Sequence, residues 1–266
     1  MGFKRLIKRV IQLVCGVGDH SCQGDYASYA DAEKECIGYD ADNILEKVLK
    51  TTLMVKNGEC AFERDGVAFS EREINYNLMM YLYQIRQKEG QLHVCDFGGA
   101  LGSTYWQHKE LCAEMGNVEW NVVEQENYIR CGKANLENEV LHFYYNVKEL
   151  LSSRGGQDVV LLSSVLQYFP EKDVVLDWIE ELDAGYVIIE RNPVGARKRI
   201  TIETVHEPIY ESTRPFVCMD EKELVQNVEN RGYRLLDSWK SLVDSDLHIG
   251  SEVYSLKSFV FKRTAE

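Results

Sequence analysis

The residues best suited to chemistry lie in the stretch LHVCDFGGALGSTYWQ, where an acid stands directly before a glycine-rich turn. Asp96 ends a short apolar run that predicts a strand, and Gly98, Gly99 and Gly102 follow it. Glycines let a backbone adopt positive φ and approach a ligand closely, and the helix predicted to follow offers free N–H groups. In open α/β sheets, ligands bind at this place, beyond the carboxyl ends of the strands. The turn is therefore predicted to bind a ligand.

Two known nucleotide-binding patterns match this stretch only in part. The letters D-F-G occur in the magnesium loop of protein kinases, but a kinase also needs H-R-D-x-x-x-x-N ahead of them. The nearest match, ERDG at 63–66, lacks both the His and the Asn. A dinucleotide fingerprint needs G-x-G-x-x-G, and counted from Gly98 its other two glycines are replaced by Ala100 and Ser103. A carboxylate at Asp96 would also repel a bound pyrophosphate.

A cationic ligand fits the acids of this region better. Asp96 would attract an ammonium or sulfonium group. Glu124 ends the next predicted strand, WNVVE, about twenty residues past the turn, where an acid that binds ribose hydroxyls is expected. The alternative is that Glu124 is only a surface acid at a strand end. Taken together, Asp96 and Glu124 favour a cationic nucleoside as cofactor.

Several blocks of the sequence resemble one family. D-F-G-G-A-L-G resembles the D-x-G-x-G-x-G motif of class I S-adenosylmethionine-dependent methyltransferases, with Ala100 in place of the middle glycine. Further blocks make the chain similar to bacterial methyltransferases encoded among surface-polysaccharide biosynthesis genes: RDG at 64–66, WNVVEQ at 120–125, LLSSVLQYFP at 161–170 and IIERNP at 188–193. The resemblance runs from about Tyr26 to the C-terminus. The chain departs from the family at ERNP, where the family has D-R-T-P, and at His206, where it has Gln.

The resemblance implies a cofactor and a reaction. The cofactor is S-adenosylmethionine, and the reaction is transfer of its methyl group to a hydroxyl of a saccharide or polysaccharide precursor. The predicted cofactor-binding residues are the first acid, the turn, the end of WNVVEQ and the loop after VVLLSS: Asp96, Gly98, Gly99, Gly102, Glu124, Gln125, Ser163 and Ser164.

Three side chains are candidates for catalysis on the acceptor side of the methyl group. Tyr168 could stack near the sulfonium, because cations favour aromatic faces. Glu190 could act as the base that takes a hydroxyl proton. His206 has the intrinsic pKa best suited to that role and lies in a stretch predicted to be irregular, ETVHEPIYESTRP. The structural alternatives are a packing ring for Tyr168, an ion pair bracing the strand end for Glu190 and a noncatalytic His206.

Three further residues are predicted to contact the acceptor. Arg191 follows Glu190 and is predicted to clamp an acceptor that carries a phosphate or carboxylate. Arg64, in AFERDG, and Tyr105, after the glycine turn, complete the set. Arg64 could equally belong to a turn closed by Asp65 and Gly66. No metal site is predicted, because none of the 8 cysteines forms a C-x-x-C pair.

Helical and strand patterns alternate along the chain and position these residues. Residues 1–90 are mainly helical in pattern and are predicted to form a cap, with one helix starting at a Ser70–Glu73 capping box. From 91 to 266, apolar runs alternate with helical patterns, which predicts a doubly wound parallel sheet with helices on both faces. The last two runs, GYRLLDSW and YSLKSFVFK, predict an antiparallel hairpin at a sheet edge. The predicted fold is α/β, Rossmann-like, with a mostly parallel seven-stranded sheet.

Composition and charge indicate which partners and which cellular location to expect. The formal net charge of −13 gives no general attraction to nucleic acid. Cys95, Cys112 and Cys131 lie within apolar or helical patterns, which is typical of small buried side chains in a reducing cytosol, so a cytoplasmic location is expected. The first residues, MGFKRLIKRVIQLVCG, alternate apolar and basic side chains at helical spacing. Such a helix can lie on the inner face of an anionic membrane or dock on its own domain.

Two other functions stay open from the sequence. The chain could bind the cofactor without transferring a methyl group, as a partner in a glycan-assembly complex, since no side chain is an unmistakable base. It could also be an NAD(P)-dependent nucleotide-sugar enzyme, which Asp96 and the incomplete glycine pattern disfavour.

Overall fold

Strands and helices alternate through most of the chain, as the apolar pattern predicts. The computed structural model describes residues 21–37, 41–170, 172–206, 212–241 and 244–264. The strands are β1 (Ser21–Gln23), β2 (Phe62–Arg64), β3 (Val67–Phe69), β4 (Leu92–Phe97), β5 (Val118–Val123), β6 (Leu141–Tyr144), β7 (Val159–Ser163), β8 (Tyr186–Gly195), β9 (Arg199–Val205), β10 (Ser212–Asp220), β11 (Tyr233–Lys240), β12 (Leu247–Ile249) and β13 (Glu252–Arg263). The helices are α1 (Tyr29–Lys34), α2 (Ala41–Lys56), α3 (Tyr76–Glu89), α4 (Ser103–Met115), α5 (Glu126–Asn135), α6 (Val147–Arg154), α7 (Lys172–Leu182) and α8 (Glu221–Glu229).

One sheet organises the molecule. Strands β6, β5, β4, β7 and β8 lie side by side in that order and run parallel. The chain therefore reverses its direction of winding between β4 and β7, and ligands bind at such a switch point in open α/β sheets. The fold is the predicted mixed α/β, Rossmann-like one. Strand β13 runs antiparallel to both β8 and β11 and lies between them.

The sheet is larger than predicted. Within the described residues it joins eleven strands, whereas seven were predicted, because β1, β9, β10 and β12 extend it. Strand β9 falls partly in the stretch that was predicted to be irregular. It buries Thr201 and Glu203, so it lacks the alternation of apolar and polar residues by which a half-buried strand is recognised.

The N-terminal region covers one face of the sheet. Helices α2, α3 and α4 pack on the face that presents Val94, Leu161 and Ile188, and α6, α7 and α8 pack on the other. Helix α3 begins after Asn75 and not at the predicted Ser70 capping box, because the Asn75 side chain accepts from the backbone N–H of Leu78. The division into a cap of 1–90 and a domain of 91–266 stays a prediction, and β1 pairs with β9 of the main sheet.

The strand register sets which side chains meet at the switch point. Asp96 lies opposite Leu161, which lies opposite Ile188, and Ser163 lies opposite Glu190. Because side chains two residues apart point to the same face of a strand, Asp96 and Glu190 lie on the face that α2, α3 and α4 cover. The basic segment predicted near the N-terminus lies outside the described residues. In the ranges that are described, none of the helices has the length and apolarity that a membrane span needs.

Candidate functional site

The turn between β4 and α4 is built on positive φ angles. They are 72° at Gly98, 50° at Ala100 and 82° at Gly102. A left-handed conformation costs a residue with a Cβ about 1 kcal/mol or more, so Ala100 keeps the shape of a glycine turn at some cost in stability.

Two of the glycines are required by close contacts. A Cβ on Gly98 would lie 2.4 Å from Cγ2 of Val165, and a Cβ on Gly99 would lie 2.5 Å from Cγ of Asp96. The loop after β7 therefore closes against one side of the turn, and a carboxyl group packs beneath it. The turn presents backbone without side chains, which a ligand can approach closely.

Asp96 lies at the site, but beneath the turn. Its side chain is fully buried, and Oδ2 accepts a 2.8 Å hydrogen bond from Nε1 of Trp120. Atom Oδ1 has no hydrogen-bond partner among the residues that the structure describes. Burial raises the pKa of Asp96 to about 7, against the bond from Trp120 and with the help of the charges of Glu190 and Glu124. A buried carboxylate oxygen without a partner is costly, and a cation bound above the turn would offset that cost.

Glu124 lies beside the turn. Its Oε2 is 3.9 Å from the position that a Gly98 Cβ would take, and its Oε1 accepts from the backbone N–H of Gln125 at 2.8 Å. Burial raises the pKa of Glu124, and bonds from the backbone of Gln125 and Ala100 partly offset this. Gln125 itself is exposed and immediately precedes α5. The structure thus brings both predicted acids and the turn together.

Glu190 is a buried carboxylate of β8. Only 4% of it is exposed. Its Oε2 accepts a 2.9 Å bond from the hydroxyl of Ser163, and its Oε1 accepts from the side-chain amide of Asn75. Burial raises the pKa of Glu190, and the Arg191 charge and the Ser163 bond only partly counteract it. Ser164, with φ of 52°, donates its backbone N–H to the Glu190 carbonyl at 2.8 Å, which fixes the loop after β7 on β8.

Arg191, predicted to be an anion clamp, is paired with a carboxylate of the chain itself. Its guanidinium donates two hydrogen bonds to Asp244, at 2.7 and 2.9 Å. Burial by itself would lower the pKa of Arg191, but the bonds and the charge of Asp244 outweigh burial and raise it. The charge of a guanidinium held by two bonds to a carboxylate is compensated, which disfavours the clamp, although the role stays a prediction. The sequence does not indicate this pair, because Asp244 is distant in sequence.

Arg64 is also paired, and its neighbour Glu63 is the acid that the sequence reasoning missed. Arg64 forms an ion pair with Glu73. Glu63 is 3% exposed and accepts bonds from the Ser103 hydroxyl and from the backbone N–H of Gly66. Burial raises the pKa of Glu63 to about 7. Its position next to the first residue of α4 places another carboxylate behind the glycine turn.

Tyr168 forms a polar cluster with Glu203 of β9 and Arg214 of β10. Its hydroxyl donates to Oε2 of Glu203 at 3.3 Å and accepts from Nη2 of Arg214 at 2.6 Å. The Arg214 guanidinium also lies 4.0 Å from the centre of the Tyr168 ring. The ring that was predicted to stack on a sulfonium therefore already stacks on a guanidinium.

His206 is exposed, whereas Tyr105 is buried near the glycine turn. His206 directly follows β9. Tyr105 is 7% exposed, and its ring centre lies 5.2 Å from that of Trp106 and 6.2 Å from that of Trp120. Its ring packs on these two tryptophans, and a contact of Tyr105 with an acceptor stays a prediction.

A cavity lies away from the predicted site residues. A cavity of about 1020 Å³ lies between α8 and β13. Its lining includes Lys222, Val225 and Lys257 but none of the predicted site residues, so we base the site on the turn and its acids. Among the described residues, no group of three or more His, Cys, Asp and Glu is arranged to hold a metal ion.

Known structures share this fold. No protein-family model matches the sequence, and no curated protein matches it. The N-terminal domain of EvdMO1, solved with S-adenosylhomocysteine and D-fucose, matches with a TM-score of 0.50 and 14% identity over 85% of this chain and 98% of that one. CalS10, an amino pentose methyltransferase from Micromonospora echinaspora solved with S-adenosylmethionine, gives a TM-score of 0.47 and 11% identity over 72% of this chain and 92% of that one.

The comparison establishes the fold of this chain. At 14% identity the likeness to EvdMO1 extends to the Rossmann-like architecture and not to particular residues. S-adenosylhomocysteine is present in the EvdMO1 structure, and other similar structures contain S-adenosylmethionine.

Proposed function

We propose that the chain is an S-adenosylmethionine-dependent methyltransferase that methylates a hydroxyl group of a saccharide or saccharide precursor. The observation that carries this proposal is the glycine turn at the switch point, with Asp96 buried beneath it and Glu124 beside it. The turn fits a closely bound ligand, and the unpaired Oδ1 of Asp96 fits a positive one. S-adenosylmethionine carries a sulfonium, an ammonium and ribose hydroxyls, and so meets all of these requirements.

The residues of the chain then align and deprotonate an acceptor. When bound, S-adenosylmethionine supplies an activated methyl group. Val165 and the turn fix one side of the site, and Glu190 lies two strands away from the turn, where it can accept the proton of a hydroxyl. Alignment of two reactants can contribute about 7–11 kcal/mol, and a well-placed base about 10²–10⁴-fold in rate.

The charges around Glu190 favour an uncharged acceptor. Arg191 is neutralised by Asp244 and Arg64 by Glu73, so neither guanidinium is left to bind a phosphate or carboxylate. Ser163 and Asn75 are neutral hydrogen-bonding groups. D-fucose, present in the EvdMO1 structure, is an uncharged sugar, which supports a saccharide acceptor. We extend the proposal to a cytoplasmic enzyme of polysaccharide biosynthesis, whose basic N-terminal segment contacts the inner face of the membrane.

Ligand-dependent melting tests the cofactor. At 100 times its Kd, S-adenosylhomocysteine should add about 2.7 kcal/mol of stability, which raises the Tm of a domain of this size by several degrees, roughly 5 to 10 °C. NAD and ATP should leave the Tm unchanged. A shift with NAD and none with S-adenosylhomocysteine would refute the proposal.

Transfer of a labelled methyl group tests the reaction. We expect incorporation into at least one sugar of a panel of D-fucose, D-glucose, D-galactose and D-xylose. Binding of S-adenosylhomocysteine without transfer to any tested saccharide would instead favour a noncatalytic cofactor-binding partner.

Substitution of the two acids should separate their roles. Asp96→Asn removes a charge beneath the turn, so it should weaken S-adenosylmethionine, which has a sulfonium, more than S-adenosylhomocysteine, which has a neutral thioether. Glu124→Gln should weaken both ligands by a similar factor, because their ribose hydroxyls are identical. Calorimetric titration of both ligands provides the measurement, and equal losses in Asp96→Asn would disprove an interaction of Asp96 with the sulfonium.

Asp96→Asn should also change how the stability of the protein depends on pH. The folded chain holds Asp96 at a pKa of about 7, against 3.8 for an ordinary Asp. Between these values the folded state binds a proton that the unfolded state has lost, so stability falls as pH rises through this range. The shift corresponds to a loss on the order of 4 kcal/mol. Urea unfolding at about pH 5 and pH 8 should show that the free energy of unfolding decreases less over this interval in Asp96→Asn than in the wild type. An equal decrease in both proteins would contradict the raised pKa of Asp96.

A further inference from the structure

Glu190 is held by two neutral donors from different parts of the chain. The amide of Asn75, which precedes α3, donates to Oε1, and the hydroxyl of Ser163, at the end of β7, donates to Oε2 at 2.9 Å. A carboxylate oxygen can accept more than one hydrogen bond, so both oxygens keep a lone pair for an acceptor hydroxyl. The direction in which those lone pairs point is set by Asn75 and Ser163.

Asn75 is itself fixed by bonds on both sides. Its Oδ1 accepts from the backbone N–H of Leu78 at 3.1 Å, which determines that its amide NH₂ faces Glu190. Its backbone N–H donates to Nε2 of His108 at 3.1 Å. The Nδ1 of His108 lies 2.8 Å from the carbonyl of Thr104, and a carbonyl only accepts, so Nδ1 carries the proton and Nε2 is the acceptor.

His108 is a neutral imidazole, because its Nε2 accepts a hydrogen bond. It is 1% exposed, and burial lowers its pKa, with the charge of Arg72 acting in the same direction and the bond to Thr104 and the charge of Glu73 against it. His108 lies in α4, the helix that begins at the glycine turn. A chain of hydrogen bonds thus connects the helix of the cofactor turn with Glu190 through Asn75.

From this geometry we propose that Asn75 is a positioning residue that directs the Glu190 carboxylate at the acceptor hydroxyl, with His108 holding Asn75 in place. The inference rests on the proposed function. The hydroxyl proton passes to Glu190, the oxygen–methyl bond forms while the sulfur–methyl bond breaks, and the electron pair of that bond stays on sulfur. A neutral amide suits this role, because a cation at the same place would lower the pKa of Glu190 and weaken it as a base.

The test is Asn75→Ser, which keeps an oxygen that can cap α3 but removes the amide donor. We expect kcat for the most active sugar of the panel to fall at least about tenfold, while the Kd of S-adenosylhomocysteine changes less than about twofold. A carboxylate that loses a donor has a higher pKa, so the acid limb of the kcat profile should move to higher pH. A residue that only stabilised α3 would not move that limb.

Asn146→Ser is the matched control. Asn146 caps α6 in the same way, with its side chain accepting from the backbone N–H of Glu149 at 2.9 Å, and it has no contact with Glu190. Asn146→Ser should destabilise its helix by a comparable amount and keep the wild-type dependence of kcat on pH. If Asn75→Ser does not fold, Asn75→Thr, which also retains a capping oxygen and lacks the amide donor, carries the same expectation.

A carbon-13 NMR titration of glutamate-labelled protein observes Glu190 directly, with its signal assigned by Glu190→Gln. The signal should titrate at higher pH in Asn75→Ser than in the wild type. An unchanged titration together with intact S-adenosylhomocysteine binding would overturn the positioning role alone. A wild-type chain that does not bind S-adenosylhomocysteine would instead refute the proposed function.

Discussion

Gly99→Ala and Gly98→Ala are each expected to reduce affinity for S-adenosylhomocysteine at least about 100-fold, which corresponds to about 2.7 kcal/mol. In Gly99→Ala the new methyl group would lie 2.5 to 2.8 Å from three atoms of the Asp96 carboxyl. That carboxyl cannot move aside, because it is fully buried and bonded to Trp120. The turn itself must shift, and the backbone surface that would contact the ligand shifts with it.

Gly98→Ala combines two effects that a control can separate. Its φ of 72° strains any residue with a Cβ, and its Cβ would lie 2.4 Å from Val165. Gly58→Ala has a φ of 77° but nothing within 4 Å of the new Cβ, so it carries the backbone strain alone. Gly156→Ala, with open space around it, is the control for Gly99→Ala. Overpacking should cost the two turn variants about 1–3 kcal/mol.

Two measurements distinguish loss of the site from loss of the fold. Far-ultraviolet circular dichroism should show a folded chain for the turn variants at low temperature, while isothermal titration shows no binding of S-adenosylhomocysteine. If Gly99→Ala bound the ligand as tightly as Gly156→Ala, the turn would not be the cofactor site.

The parts of the site that are local in sequence were predictable. The turn follows an apolar run and precedes a helical pattern, and Glu124 ends the next apolar run, so the order of elements alone places the two acids at one sheet edge. What the sequence pattern lacks is the conformation of the turn. Ala100 has a φ of 50°, which means that the position keeps the geometry of the glycine it replaces.

The parts of the site that depend on distant partners were not predictable. Arg191 pairs with Asp244, 53 positions away, and Glu190 pairs with Asn75, 115 positions away. Helical and strand periods relate residues that are close in sequence, so they predict neither pair. A free Arg191 and a paired Arg191 have the same local sequence. Only the fold, which brings the N-terminal region and the segment after β11 to the end of β8, decides between an anion clamp and an internal ion pair.

The same limitation explains the missed acid. Glu63 lies in β2, a strand of three residues, too short for an alternating pattern to show which side chain points inward. The Glu63 carboxylate points inward, where it accepts hydrogen bonds from Ser103 and Gly66. The neighbouring Arg64, which is more conspicuous in the sequence, stays partly exposed.

Glu190→Gln is expected to lower kcat about 10²–10⁴-fold, the range that a general base contributes. Glutamine has nearly the same shape and retains an oxygen for one donor, so the binding of S-adenosylhomocysteine should change little. Because burial raises the pKa of Glu190, activity of the wild type should increase with pH through that raised value, as the base loses its proton. This pH dependence should disappear from the residual activity of Glu190→Gln.

The other two candidates provide the comparison. Tyr168→Phe removes a hydroxyl that already bonds with Glu203 and Arg214, so it should mainly reduce stability, by about 1 kcal/mol for the lost hydrogen bond. His206→Gln changes an exposed side chain at the end of β9 and should leave kcat within about twofold, since surface substitutions away from a site have small effects. The three variants can be compared in one methyl-transfer assay across pH. If His206→Gln lost activity and Glu190→Gln retained it, the base would belong to the segment after β9, and the buried carboxylate of Glu190 would serve only to bind Asn75 and Ser163.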